Sequence, residues 1–201
     1  MLGTMLFDIE AILVSFGYAA LFGIVFAETG LLVGFFLPGD TLLFSAGILA
    51  AKNILDLKLV ILVCCVAAVT GDALGYLLGR KYGKQLFEKE DGMFFKRENL
   101  EVARAFYEKH GGKTIFLARF VPVVRTFAPV LAGVGDMKYS RFAAYNILGA
   151  VFWVTAVTLA GFFVGGLIPD AAEYATRAVI AVVILSLLPA GWKLVKKALK
   201  K

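Results

Sequence analysis

The stretch Phe116–Val134, FLARFVPVVRTFAPVLAGV, decides how the rest of the chain is interpreted. It is apolar enough for a lipid bilayer, yet it contains Arg119 and Arg125, and Pro122 and Pro129 are expected to break any helix through it. A guanidinium at the centre of a bilayer costs about 2.5 to 3.5 kcal/mol on insertion scales. Two such groups therefore indicate either a function or a strong structural requirement.

The composition is typical of an integral membrane protein. Hydrophobic residues make up 60% of the 201 positions and charged residues only 18%, which is too apolar for a soluble globular domain. The whole chain, 1–201, is predicted to form one membrane domain. Four uncharged blocks could each supply a spanning helix once their flanks are added: 11–27, 59–71, 142–169 and 178–192. No basic residue precedes the first block, so we expect it to be retained rather than cleaved as a signal peptide.

The basic residues predict the orientation of the chain. Segment 80–113 holds nine Lys or Arg against six Asp or Glu, and five lysines follow Trp192. The positive-inside rule places both regions in the cytoplasm, and the start of the chain is expected there too. Because these charges lie next to the membrane, anionic lipid headgroups are their expected partners, and nucleic acid is not.

This orientation predicts that 114–134 enters and leaves the membrane on the cytoplasmic side. Three full crossings after the basic segment would place the C-terminal lysines outside. A re-entrant 114–134 instead leaves Lys138 and Arg141 inside, and 142–169 then crosses outward. A closing helix over 171–195 returns to the cytoplasm.

The first half, 11–79, has a similar plan. Pro38-Gly39-Asp40 breaks the apolar segment 29–51, which either spans the membrane or forms a hairpin from the outer side. The hairpin is favoured because a broken backbone at membrane depth must be covered by protein or face water. With 114–169 as the second half, the predicted fold is an all-α polytopic membrane protein. It is an inverted repeat with two opposed re-entrant helical hairpins, spanning helices and a cytoplasmic amphipathic helix.

Two predicted helices carry small residues at every fourth position. These are Ala67, Gly71, Gly75 and Gly79 in the first half and Gly161 and Gly165 in the second. Such stripes let another helix approach closely, within the chain or in a homodimer. Asp72 lies beside the first stripe, where it could hydrogen-bond a neighbouring helix or act as a proton relay or latch.

Four charged residues are the main candidates for function. Arg119 and Arg125 are predicted to bind phosphate, because a guanidinium stays charged and matches the geometry of phosphate oxygens. Glu28 and Asp40 flank the break of the first hairpin, and carboxylates removed from water can exchange protons. The alternative is that the four groups form buried ion pairs that only hold the hairpins together. No cofactor or metal site is expected. The one histidine, His110, precedes Gly111 and Gly112 at a predicted helix end, where a loop or cap role is favoured. No other imidazole is left for a hydrolytic triad, so an enzyme is not expected either.

Several motifs together resemble the DedA family of bacterial inner-membrane proteins. They are Glu28, Phe36–Gly47 (FLPGDTLLFSAG), His110-Gly111, Ala118–Met137 (ARFVPVVRTFAPVLAGVGDM), and Phe142, Asn146, Gly149 and Trp153. That family shares its VTT domain, also called the SNARE-associated domain, with eukaryotic lipid scramblases. The resemblance covers roughly residues 20 to 165 of this chain and implies opposed re-entrant hairpins.

The resemblance also implies a role in envelope homeostasis that depends on the proton motive force. By motif, the essential acids of the family correspond to Glu28 and Asp40 and its essential arginines to Arg119 and Arg125. The expected function is a flippase or scramblase for a phosphate-bearing lipid, such as undecaprenyl phosphate or phosphatidylethanolamine. Two alternatives stay open: a proton-coupled antiporter of a small solute or cation, and a membrane organiser that transports nothing.

Overall fold

The computed structural model describes residues 17–31, 39–88 and 111–168, and within these ranges all regular secondary structure is helical. The helices in chain order are α1 (Gly17–Gly30), α2 (Gly39–Ala51), α3 (Leu57–Glu88), α4 (Lys113–Ala118), α5 (Pro122–Val134) and α6 (Tyr139–Leu167). The predicted closing helix 171–195, residues 89–110 of the basic segment and Pro38 lie outside the described residues.

Two of the helices, α3 and α6, are long and apolar enough to cross a membrane. Their candidate spans are Leu57–Gly83 and Tyr139–Leu167. Asp56 caps α3, because its carboxylate accepts a hydrogen bond from the backbone N–H of Leu59 at 2.8 Å. With 32 residues α3 is about 48 Å long and exceeds a hydrocarbon core of about 30 Å. It therefore continues to Glu88, beyond the predicted end of the first half at residue 79, because charged turns outside the bilayer can remain helical.

The helices α2 and α5 are too short to span a bilayer. Each has 13 residues, about 20 Å at the helical rise, against a core of about 30 Å. The lengths agree with the predicted broken segments 29–51 and 114–134, whereas their re-entry from opposite membrane faces stays a prediction. Pro122 opens α5 after the extended Val121, as expected, but α5 continues through Pro129. The prediction that Pro129 breaks the segment is therefore wrong, because the helix tolerates the loss of one backbone N–H there.

Both ends of the described segment 111–138 lie near the start of α6. At the first end, Gly112 lies against the ring of Tyr145. At the second end, the hydroxyl of Tyr76 donates to the carbonyl of Met137, and the ring of Tyr76 stacks on Phe142 at 4.6 Å between centroids. Tyr145 and Phe142 both lie in the first turns of α6, so the two ends of this segment lie beside the same end of one long helix.

Each short helix packs closely along one long helix. A Cβ at Gly47 of α2 would lie 2.8 Å from the backbone nitrogen of Phe162 in α6. A Cβ at Gly133 of α5 would lie 2.7 Å from the backbone nitrogen of Arg80 in α3. Such distances leave no room for a side chain, so glycine is required at both positions. The two halves of the described chain thus use the same type of helix contact.

Reciprocal contacts from the long helices complete this pattern. A Cβ at Gly161 of α6 would lie 2.8 Å from the carbonyl carbon of Phe44, and one at Gly79 of α3 would lie 2.9 Å from that of Val130. Within each pair the two helices run in the same direction. The predicted small-residue stripes are therefore used for packing within the chain, while a homodimer stays a prediction.

Two apolar clusters form the core of the described helices. The larger joins α1, α2, α3 and α6 through residues such as Val25, Leu43, Val60 and Val154. The smaller joins α3 to α4, α5 and α6 around Tyr76 and Phe142. Cys64 is buried in the larger cluster as a free thiol.

Candidate functional site

Arg125 is held by groups from three other helices. Its Nη1 lies 2.8 Å from Asp40 Oδ1, and its Nη2 pairs with Glu28 Oε1. Its guanidinium carbon lies 4.7 Å from the centroid of the Trp153 ring, a cation–π distance. Glu28 comes from α1, Asp40 from α2 and Trp153 from α6, so this Arg125 cluster connects both halves of the chain.

The ends of the short helices position these groups. Arg125 lies in the first turn of α5, where its backbone N–H donates to the carbonyl of Val121 at 3.0 Å. Asp40 lies in the first turn of α2, where a carboxylate is favoured by the helix dipole. Glu28 lies beside Gly39 at the start of the same helix, and a Cβ on Gly39 would overlap its Oε2. Glycine at this position therefore makes room for the carboxylate of Glu28.

The two carboxylates differ in exposure. Glu28 is buried, whereas 46% of the side-chain surface of Asp40 is exposed. Arg125 itself is only 9% exposed, so the cluster is open mainly at Asp40. With both acids ionised, two carboxylates and one guanidinium carry a formal charge of −1. Because buried charge without a partner is unfavourable, this excess favours uptake of a proton or a cation.

Trp153 and Arg125 donate to the same oxygen. The indole Nε1 of Trp153 lies 3.0 Å from Asp40 Oδ1, which also accepts from Arg125 Nη1. Trp153 is buried and belongs to the larger apolar cluster. The oxygen of Asp40 thus occupies a position defined by two donors.

Arg119 lies in a second cluster, apart from Glu28 and Asp40. Its Nη2 pairs with Asp72 Oδ2 and with Asn146 Oδ1. The amide of Asn146 in turn donates to the carbonyl of Val69 at 3.1 Å. Arg119 lies at the break between α4 and α5, and the side chains of Arg119 and Asp72 are 5% and 6% exposed. This Arg119 cluster is sealed, and it fixes the break to α3 and α6.

A close approach to α6 holds Arg119 in place. A Cβ on Gly149 would lie 2.8 Å from Arg119 Cδ. The Nε of Arg119 is buried and has no hydrogen-bond partner among the described residues. Asp72 also lies within electrostatic range of Arg125, so the two clusters are neighbours.

The structure brings together three of the four main residues. Arg125, Glu28 and Asp40 meet as expected, whereas Arg119 pairs with the secondary candidate Asp72. The roles assigned to all of these residues stay predictions. Trp153 and Asn146 entered the sequence analysis only through the family motif. Their seven-residue separation on one apolar helix, with Gly149 between them, puts them on one face and could have indicated a polar contact.

Comparison with known proteins identifies relatives of the chain. The VTT domain family matches residues 37–163, which include Asp40, Arg125 and Trp153. "Protein DedA" of Escherichia coli K12 is 49% identical over 174 residues, covering 86% of this chain and 79% of the relative. An uncharacterized membrane protein of Mycobacterium tuberculosis H37Rv is 47% identical over 180 residues, covering 87% and 78%.

A more distant relative carries a location in its name. "Inner membrane protein YqjA" of Escherichia coli K12 is 34% identical over 148 residues, covering 74% of this chain and 67% of the relative. No solved structure matches the chain. The helices α3 and α6 of this chain are long and apolar enough for insertion into a membrane. From the family match and the extent of the identity to DedA, the chain belongs to the DedA proteins of the VTT domain family.

Proposed function

We propose that the protein moves a phosphate-bearing lipid headgroup between the leaflets of a bacterial inner membrane, in exchange with protons. Arg125 binds the phosphate, which replaces the carboxylates of Glu28 and Asp40 as partners of the guanidinium. Undecaprenyl phosphate and phosphatidylethanolamine are two lipids of suitable chemistry. The observation that carries the proposal is the Arg125 guanidinium, held between two carboxylates where two short helices begin.

The proposed exchange follows from the charges of this cluster. A phosphate that binds Arg125 replaces a carboxylate as its partner, and the released carboxylate can then take a proton from water. Asp40 is the acid expected to leave first, because it is the exposed one. Anion binding and proton uptake are thereby coupled, since a second unpaired negative charge would be unfavourable in an enclosed site.

Arg119 has a different place in this scheme. Its bonds to Asp72 and Asn146 leave its Nη2 occupied and its side chain covered. It joins phosphate binding only if its pair with Asp72 opens. We therefore propose Arg125 as the first phosphate ligand and assign the Arg119 cluster to holding the break before α5.

The proposed movement is an alternation between two inverted halves. Its support is the repeated packing of α2 along α6 and of α5 along α3. Broken segments from inverted halves that meet near the midplane form the substrate site in many transporters. Here the two segments would enter from opposite faces, with the basic segment 80–113 and both termini in the cytoplasm.

A second function is favoured by one specific observation. The formal charge of −1 and the exposed carboxylate of Asp40 also suit a cation, as in a proton-coupled antiporter. In such a protein Glu28 and Asp40 would bind the cation or the proton, and Arg125 would only balance part of their negative charge. Lipid movement would then be absent.

Reconstitution into liposomes tests the proposal. The protein should move a headgroup-labelled phospholipid between leaflets, and Arg125→Ala should reduce that rate to the protein-free level. Arg141→Ala is the matched control, because Arg141 is an exposed arginine at the start of α6. Movement of protons against a small cation without lipid movement would establish the antiporter instead. Absence of both activities would leave a membrane organiser in which the charges are structural.

A further inference from the structure

Two buried hydrogen-bond donors in the Arg125 cluster converge on a single point. Arg125 Nη1 and Trp153 Nε1 lie 2.8 Å and 3.0 Å from Asp40 Oδ1. Neither a guanidinium nor an indole N–H can accept a hydrogen bond. The point between them is therefore suited to an oxygen that carries negative charge, and it is unsuited to a metal ion or an ammonium group.

The two donors are held independently of the oxygen between them. The Trp153 ring is packed in the larger apolar cluster and is only 5% exposed. The guanidinium of Arg125 lies over this ring and is also paired with Glu28. Asp40 is the exposed member, so it can turn away while the donors keep their positions. This is the arrangement of a preformed binding position with a replaceable occupant.

We propose that Arg125 Nη1–H and Trp153 Nε1–H form an oxyanion slot for one phosphate oxygen, which Asp40 Oδ1 occupies in the resting protein. The inference deepens the proposed function and rests on it. It assigns to Trp153 a role in specificity: the indole N–H selects an anionic oxygen, and its ring fixes the plane of the guanidinium. Binding of phosphate then displaces the carboxylate of Asp40 from the same position.

Replacement of Trp153 by phenylalanine separates the N–H from the ring. The variant Trp153→Phe keeps an aromatic face under Arg125 but removes the donor. The test is isothermal titration calorimetry of the full chain in detergent with dihexanoyl phosphatidic acid and with inorganic phosphate. Because Asp40 uses the same N–H in the resting protein, the replacement is made in an Asp40→Ala background, where no carboxylate competes for it. Loss of one hydrogen bond to the phosphate should then weaken binding by about tenfold or more relative to Asp40→Ala. Trp192→Phe is the matched control, since the chain contains two tryptophans, and it should bind as the wild type does.

The outcomes separate the slot from the proposed function. If Trp153→Phe binds both probes as tightly as its Asp40→Ala parent while Arg125→Ala binds neither, the slot is wrong and Arg125 alone recognises phosphate. If the wild type binds neither probe, the slot and the proposed function both fail. If both probes bind and Trp153→Phe weakens both, the phosphate group is sufficient. If only the lipid binds and the variant weakens it, the slot belongs to a lipid site.

A second measurement leaves Trp153 intact and so does not depend on the folding of the Trp153 variant. In Trp192→Phe the tryptophan emission, excited at wavelengths that tyrosine does not absorb, comes from Trp153 alone. The N–H of Trp153 changes partner when phosphate replaces Asp40. Dihexanoyl phosphatidic acid should therefore shift this emission, and tetramethylammonium chloride should not. Unchanged emission at lipid concentrations that calorimetry shows to be saturating would overturn the slot, as would a shift caused by tetramethylammonium.

Discussion

Arg119 and Arg125 lie six positions apart in one broken segment, yet their surroundings differ. Arg125 contacts two carboxylates from the other half of the chain, one of them exposed, and shares an oxygen with an indole N–H. Arg119 is enclosed with one acid and one amide. An arginine can thus exchange its acid partner for a ligand, as proposed for Arg125, or hold two helices together, as Arg119 does. The exposure of the paired acid decides between these roles, because only an accessible partner can be replaced by a ligand.

The largest effect on stability is expected from Arg119→Ala. This change leaves the buried carboxylate of Asp72 without its cation, and breaking a buried pair from one side costs about 3 to 5 kcal/mol. The free energy of unfolding, measured by denaturant titration in detergent micelles, should fall accordingly. A double replacement, Arg119→Met with Asp72→Leu, should recover much of the loss because no charge is left unpaired.

Transport provides the control for this prediction. Arg141→Ala, an exposed arginine at the start of α6, should change neither stability nor lipid movement. If Arg119→Ala unfolds like the wild type but abolishes lipid movement, Arg119 belongs to the binding site with Arg125. The contrast between the two clusters would then be lost.

A smaller effect is expected from Gly39→Ala, which acts on the Arg125 cluster only. The new Cβ would overlap Glu28 Oε2 and push the carboxylate away from the start of α2. Overpacking of this kind costs about 1 to 3 kcal/mol and should also slow lipid movement, because Arg125 loses one of its two partners. Gly23→Ala in α1 is the matched control, since a Cβ there meets nothing within 4 Å. Normal transport by Gly39→Ala would show that the position of Glu28 is unimportant.

How far the sequence predicts this fold depends on the kind of feature. Charge parity and the Pro38-Gly39-Asp40 break predicted short broken segments, and α2 and α5 have the matching lengths. These features could be read because bilayer thickness and chain orientation impose simple length and charge rules. The end of α3 at Glu88 could not be predicted, since neither bilayer thickness nor the charge rule limits a helix that continues beyond the membrane.

The pairing of the charges was harder to predict than the fold. Opposite charges in two hairpins indicate that ion pairs form, but not which acid meets which arginine. That choice depends on packing details, such as the overlap that a Cβ at Gly149 would have with Arg119. Trp153 was hidden for a similar reason, because a tryptophan in an apolar helix gives no sign of a hydrogen-bond partner 113 positions away.

The smallest effect, and the finest test of the comparison, is expected from Asp40→Asn. The amide still offers an oxygen to Arg125 and Trp153, but a neutral acceptor holds a guanidinium less strongly than a carboxylate does. Dihexanoyl phosphatidic acid should therefore displace it more easily and bind roughly three- to fivefold more tightly by calorimetry, a modest gain because Asp40 is half-exposed. Lipid movement should nevertheless lose its dependence on a proton gradient, since the amide cannot take up the proton.

Asp72→Asn is the matched change in the sealed Arg119 cluster. It should lower the free energy of unfolding without tightening phosphate binding, because no ligand competes with Asp72 for Arg119. If the two variants bind phosphate equally tightly, the exposed carboxylate of Asp40 does not compete with phosphate for Arg125. The difference between the two arginines is then one of packing alone.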